Sequence, residues 1–565
     1  MSTSTLAEIE TKPAYELLAR DLKSMGVQCV FGLMSDDTAV LAVTIDAMGI
    51  EFHGARHENN AIAMAEGYAA ATGGLGVALV GRGPATANGL HAATYASRTG
   101  SSVLIMYGDA PAGDSPNGIG PDYKAFNALG VLHSAGLKTF RATSPADARS
   151  ALADAIHSAK EGRAVALLLP TDVQLAETPV VDSPIVNAPK PPAPVGAREQ
   201  SIASAAALLA TSKRPLILAG QGAYWADAKQ DIETLAERIG ALLITTARGK
   251  ELFAGSPYNL GILGSFSHSM GRRFAEQADC VLAIGASLNF FTMSFGTSIP
   301  AVPLIHVDAM RSNIGRWCEA DIGVVGDAKR VTEQLLEALP ARAAADKPFH
   351  SEANLRDIAD FAIADDFQPA NTARTLDPRT LGVELDRLLP KERNLVYDAG
   401  NFLGIVPYLS VPGPQHFKFT SDFASIGLGF GTAMGVAKAR PDIPTVLVVG
   451  DGGFLMTIGE LETVIREDAA LVIVVMNDCA YGAELHFLRM WQQPVERSVF
   501  PDIDFAPIAQ GFAFESATVR TVEDLRALAP ILQKPEGPIL LDCKLNADVA
   551  APFMSEFAAH ERGEH

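Results

Sequence analysis

The chain has 565 residues, nearly half of them hydrophobic, and a formal net charge of −20. That length predicts about three or four domains rather than one. The acidic balance, with no basic run to interrupt it, argues against nucleic acid or a membrane surface as a partner, because both favour a basic face.

Short apolar runs alternate with amphipathic stretches along the whole chain. In the first third the candidate strands are VQCVFGL (27–33), GVALVG (76–81), SSVLIMYG (101–108) and AVALLLP (164–170), with helical patterns over 61–73 and 146–159. The next are PLILAG (215–220), ADCVLAIG (278–285) and VPLIHVD (302–308), with a helical pattern over 228–240. The last third has NLVYDAG (394–400), PTVLVVG (444–450), LVIVVMN (471–477) and PILLDCKL (538–545), with a helix reading TIGELETVIRED after Phe454. Strand–helix alternation predicts an α/β protein with parallel sheets wrapped by helices, divided into three doubly wound domains. Residues 178–199 are proline-rich and aperiodic, and 341–376 are polar and irregular. Read as connections, they divide the chain into units at 1–180, 198–342 and 375–565.

No apolar stretch approaches the roughly 20 residues that span a bilayer. The segment MSTSTLAEIETKPAYELL lacks the apolar core of a signal peptide. Cys29, Cys280, Cys318, Cys479 and Cys543 have no ligand-like spacing, which argues against a zinc site or disulfide framework. The expectation is a cytoplasmic protein acting on a small molecule.

The strongest local signal is Gly450-Asp451-Gly452-Gly453 at the end of PTVLVVG. A glycine-flanked aspartate at a strand's carboxyl end lets a ligand approach the backbone closely, where open α/β sheets bind ligands. The next apolar strand ends at Asn477-Asp478, so oxygen side chains leave what should be adjacent strand ends. With a backbone carbonyl and ligand phosphate they would make a hard-cation site for Mg²⁺ or Ca²⁺. Either Asn477 or Asp478 could supply the second ligand.

GDG, a helix and an apolar strand ending in Asn together resemble the thiamine-diphosphate motif GDG–x(24–27)–N(N). FHGARHENNAIAMAEGYAAATG (52–73), LLLPTDVQ (167–174), VPLIHVDAMRSNIGRWCEADIGVVGDAK (302–329) and SIGLGFGTAMGVAKARP (425–441) resemble, in order, further segments of the acetolactate synthase, pyruvate oxidase and benzaldehyde lyase group. The resemblance runs over nearly the whole chain. It implies pyrimidine-binding, middle and diphosphate-binding domains, with thiamine diphosphate and Mg²⁺ as cofactors. Glu58 would sit at the aminopyrimidine and favour formation of the thiazolium ylid, and Ile426 would prop the two cofactor rings into a V. Gly450, Asp451, Gly452, Gly453, Asp478, Tyr481 and Gly482 would surround the diphosphate. In the family the liganding Asn lies 27 residues after the GDG aspartate and three before the aromatic of "YG". Both counts point to Asp478, with Ala480 supplying the carbonyl and Asn477 left behind the ligands. The active site would lie between two subunits, in a dimer or tetramer.

The chain also departs from the family. It lacks the paired histidines of pyruvate decarboxylases and the histidine that follows "FGL" in benzaldehyde lyases, and Asp109 stands where synthases carry Gln. Substrate-side proton transfer then falls to Asp109, Glu484, His486 or His57. The middle domain's Gly220-Gln221-Gly222 is a weak nucleotide signal, and FAD, ADP, CoA or no ligand all remain open. The implied activity is C–C lyase or carboligase chemistry on a 2-oxo acid or 2-hydroxy ketone through a carbanion/enamine. The alternatives are an acetolactate synthase-type transferase, a flavin-dependent oxidase and a 2-hydroxyacyl-CoA lyase. A non-catalytic relative would lack Glu58 or Asp451, and both are present.

Overall fold

Each apolar run named above forms a parallel strand. The computed structural model describes residues 10–111, 122–183, 193–343 and 346–563. Its main strands form three six-stranded sheets, each packed between helices. The first has the order Glu51–Gly54, Cys29–Gly32, Gly76–Val80, Val103–Asp109, Ala164–Pro170, Lys138–Arg141. The third runs Phe417–Phe419, Asn394–Tyr397, Thr445–Gly450, Leu471–Asn477, Ile539–Lys544, Glu515–Val519. Numbered by appearance, both read 2-1-3-4-6-5. The middle sheet, Asn259–Ile262, Leu242–Thr245, Pro215–Ala219, Cys280–Ile284, Leu304–Asp308, Ile322–Val325, reads 3-2-1-4-5-6, the order of dinucleotide-binding folds. All pairings within the three sheets are parallel.

Two details differ from expectation. The first connection starts with a short strand, Glu177–Pro179, pairing antiparallel with Thr11–Pro13; its residues 184–192 lie outside the described residues. The second connection is not irregular throughout. Helix Glu352–Asp360 forms within it, capped by the Ser351 side chain on the Asn354 amide. Among the described residues no helix is long and apolar enough to cross a membrane.

The first and third sheets share a core. Helices Glu58–Thr72 and Gly429–Ala439 pack together, and Ile62, Met64, Phe430 and Phe454 belong to one buried cluster. Polar contacts fix the same junction: Arg56 N (2.9 Å) and Asn60 Nδ2 (2.8 Å) both donate to Glu460 Oε1. The start of the Glu58 helix is thereby docked onto the third domain of its own chain.

Candidate active site

Two carboxylates meet at the carboxyl end of the third sheet. Gly450 pairs with Met476 across neighbouring parallel strands, so Asp451 and Asp478 leave adjacent strand ends. Asp451 is 3% exposed and begins the helix Asp451–Thr457 directly. The helix expected after Phe454 therefore starts at the motif itself, and a second helix, Glu460–Arg466, follows.

Asp451 Oδ1 accepts the Gly452 amide at 2.8 Å. Burial pushes the Asp451 carboxyl up to about 8; the Asp478 charge adds to the rise, and the amides of Gly452, Ala480 and Cys479 offset part of it. Burial also pushes Asp478 up to about 7, while its Oδ1 accepts the Ala480 amide at 3.2 Å. No group of three or more His, Cys, Asp or Glu side chains among the described residues forms a metal cage. The buried Asp451 and the partly buried Asp478, two mutually repelling carboxylates, instead fit a hard divalent cation that completes its shell with further oxygens.

These shifts have a sign that can be measured. Unfolding returns both groups to about 3.9, so the folded, cation-free chain holds protons that the unfolded chain releases. Its stability is fully present below about pH 4 and falls as pH rises toward 7–8. A cation must displace those protons. Mg²⁺-dependent binding is therefore expected to tighten from pH 6 to pH 8, by up to about tenfold per unit for each proton released. Calorimetry in two buffers of different ionisation enthalpy would reveal the released protons.

Close packing surrounds the pair. A Cβ on Gly482 would collide with Asp478 Oδ2, and one on Gly453 would lie 2.5 Å from Asp398 Oδ2. The Tyr481 ring, 40% exposed, stands edge-on to Phe500 at 4.6 Å. Asn477 is engaged elsewhere: its Nδ2 donates to Asp542 Oδ1 (2.8 Å) and the Ile503 carbonyl (3.1 Å).

Asp398, inside the run NLVYDAG, directly follows the strand Asn394–Tyr397. It is fully buried, and its carboxylate accepts the amides of Gly427 (2.7 Å), Leu428 (3.3 Å) and Gly429 (3.2 Å) and the Thr420 hydroxyl (3.1 Å). It thus shapes the loop carrying Ile426. The available signal was its position, an aspartate straight after a strand at the point where strand order reverses.

In the first domain, Glu58 opens its helix with a side chain 12% exposed, and Asn88 Nδ2 donates to its Oε2 at 3.1 Å. One turn along the Pro84–Thr99 helix, His91 Nε2 meets Ser425 Oγ at 2.7 Å, next to Ile426. One helix face therefore touches both Glu58 and the Ile426 loop. His57 caps the helix through the Asn59 amide (3.1 Å), its side chain half-exposed.

The remaining acid–base candidates are placed differently. Glu484 lies exposed in the first turn of Gly482–Met490. His486, on the same helix, is 5% exposed; burial lowers its pKa, and it faces Asp548 and the Val549 backbone. Asp109 ends its strand in a 2.6 Å ion pair with Arg141. The segment 547–561 docks as an ordered strap: Asn401 binds Val549 and Ala551, and Glu556 accepts Ser265 Oγ at 2.7 Å.

The middle domain holds a cleft of about 800 Å³ at its own reversal of strand order. Gln221, Gly222, Gly285, Asp308, Trp317 and Asp327 line it, and Ser421–Ala424 of the third domain close it. Arg248, on the cleft wall, is ion-paired with Asp422.

Comparison with known proteins matches three thiamine pyrophosphate enzyme models in order. The N-terminal TPP binding domain matches residues 13–131, the central domain 202–335, and the C-terminal TPP binding domain 398–543. The chain belongs to the thiamine-diphosphate-dependent enzymes.

Curated members of that family align end to end with it. A probable acetolactate synthase large subunit of Methanocaldococcus jannaschii is 27% identical over 95% of this chain and 93% of its own length. A probable sulfoacetaldehyde acetyltransferase of Rhizobium meliloti is 27% identical over 95% of both chains. The sulfoacetaldehyde acetyltransferase of Rhodobacter capsulatus is 26% identical over 95% of both.

Proposed function

We propose that this thiamine-diphosphate-dependent enzyme is a Mg²⁺-requiring C–C lyase or carboligase acting on a 2-oxo acid or 2-hydroxy ketone. The observation that carries the reading is the pair of carboxylates, Asp451 buried and Asp478 partly buried, raised in pKa at adjacent strand ends within a thiamine-diphosphate-binding domain. Asp451, Asp478 and the Ala480 carbonyl would hold Mg²⁺ against the diphosphate. Glu58, oriented by Asn88, would hold a proton at the pyrimidine ring nitrogen, and Ile426 would set the angle between the rings. When bound, thiamine diphosphate supplies a carbon nucleophile that attacks a carbonyl and stores the electron pair released as the adjacent C–C bond breaks. Glu484, close after Tyr481 and exposed, is the proposed substrate-side acid–base. Asp109 and His486 are the weaker choices, being held by Arg141 and by the 547–551 segment.

A homodimer, or a tetramer built from such dimers, is part of the proposal. Leu455, Met456, Tyr481, Trp491 and Val499 stand exposed on segments bordering the carboxylate pair, an apolar surface that a second copy would cover. The N-terminal domain of that copy would then bring its glutamate to this diphosphate site.

The test is a panel of 2-oxo acids, acyloins and 2-hydroxyacyl thioesters, incubated with enzyme, thiamine diphosphate and Mg²⁺ and read by product mass. Cleavage or ligation of a 2-oxo acid or acyloin supports the reading. Cleavage confined to the 2-hydroxyacyl thioesters, or a flavin-coupled oxidation of the 2-oxo acids, would replace it. For the middle cleft, strand order and volume favour a nucleotide. Yellow purified protein would identify flavin; colourless protein releasing an adenine nucleotide on denaturation would identify ADP or a CoA.

A further inference from the structure

Behind the cation centre lies a buried polar network that the proposed chemistry does not use. Asn477 is 2% exposed at the end of its strand. Its Nδ2 donates to Asp542 Oδ1 (2.8 Å) and to the Ile503 carbonyl (3.1 Å); its Oδ1 accepts the Cys479 amide (3.3 Å) and lies 3.5 Å from Cys479 Sγ. A carboxylate and a carbonyl offer only acceptors, so the orientation of the Asn477 amide is fixed. Asp542, fully buried on the adjacent strand, accepts the Phe505 amide (2.8 Å) and pairs with Lys544 Nζ (3.0 Å). Lys544, 2% exposed and in register with Asn477, also reaches Ile503 O (2.5 Å) and Asp502 (2.7 Å).

Asn477 therefore stands on an anchored ion pair, and its free end grips one residue. Cys479 has φ 59°, the left-handed region that residues other than glycine rarely enter. Its flanks are pinned as well, by Phe500 N on Cys479 O (2.7 Å) and Tyr481 N on Ser498 O (2.8 Å). The left-handed step at Cys479 falls between Asp478 and Ala480, the two proposed cation donors of this turn.

We propose that Asn477 is a positioning residue for the cation centre. Anchored on the Asp542–Lys544 pair, it holds Cys479 left-handed, so that the Asp478 carboxylate and the Ala480 carbonyl stay gathered opposite Asp451. The inference rests on the reading of Asp451 and Asp478 as cation ligands. A purely structural role for Asn477 would move the melting temperature alone, whereas a positioning role must also move cofactor affinity.

The experiment titrates thiamine diphosphate into the full-length protein at saturating Mg²⁺ by calorimetry, with melting curves on the same samples. Asn477→Ala is expected to weaken binding about 10- to 100-fold, the range for groups that orient metal ligands. Adding Cys479→Gly should recover most of that affinity, because glycine adopts the left-handed step freely, although no hydrogen bond to Asp542 returns. Should Asn477→Ala not fold, Cys479→Val strains the same step with the network intact and should weaken binding at least tenfold. Wild-type affinity in Asn477→Ala or in Cys479→Val, or a loss that glycine does not recover, overturns the proposal. Asp451→Asn is the control: if it loses Mg²⁺-dependent binding while Asn477→Ala does not, the positioning role fails and the centre stands. If Asp451→Asn also binds as wild type, the reading of the centre itself fails.

Discussion

Glu58→Gln is expected to lower turnover by roughly two to four orders of magnitude, the scale of a positioned acid–base group, while melting temperature and cofactor affinity stay near wild type. The structure explains why the two effects should separate. Glu58 occupies the first turn of its helix, and Asn88 Nδ2 donates to its Oε2. A glutamine oxygen accepts the same hydrogen bond and fills the same volume, so the helix start keeps its packing and its docking through Arg56 and Asn60 on Glu460. What glutamine loses is the capacity to carry the proton. Full activity in this variant would remove Glu58 from the mechanism; a large drop in melting temperature would make it a structural residue instead.

The second large effect is expected at the carboxylate pair, with opposite signs in the two ligation states. Asp451→Asn and Asp478→Asn should each weaken Mg²⁺-dependent thiamine diphosphate binding by about 100-fold or more, beyond the 10–100-fold typical of groups behind the ligands. The cation-free protein should respond the other way. Each carboxyl is raised by burial, and the Asp478 charge adds to the rise at Asp451, so at pH 8 the wild-type apoprotein carries buried negative charge with no cation beside it. A neutral amide in either place relieves that repulsion, and the apoprotein should melt higher. A variant that binds cofactor as tightly as wild type, or whose apoprotein melts lower at pH 8, would argue against a cation site here.

The sequence announced the fold best where strands are buried on both faces. PTVLVVG, LVIVVMN and AVALLLP are continuous apolar runs because each lies inside a parallel sheet. The sheet edges were silent. Glu51–Gly54, Lys138–Arg141 and Glu515–Val519 are half-buried and carry charged or small residues, so no apolar run marks them.

The site was legible wherever its residues are near in sequence or fixed in spacing. Asp451 and Asp478 could be paired by counting, and the structure brings them together. Asn88 and Asp398 act through contacts that spacing does not encode, 30 residues from Glu58 and 29 from Gly427. The Asp542–Lys544 pair is hidden for the same reason, since Asn477 meets Asp542 across 65 residues. A carboxylate on a buried strand reads as an interruption of the pattern until its partners are known.

On the proposed reading, this chain holds thiamine diphosphate through a divalent cation on Asp451 and Asp478. The most direct measurement is a calorimetric titration of the wild-type protein with thiamine diphosphate at pH 8, once with Mg²⁺ and once with a chelator. Saturable binding near one cofactor per chain that disappears with the chelator is the predicted result. Equal binding in both conditions, or none in either, would contradict it.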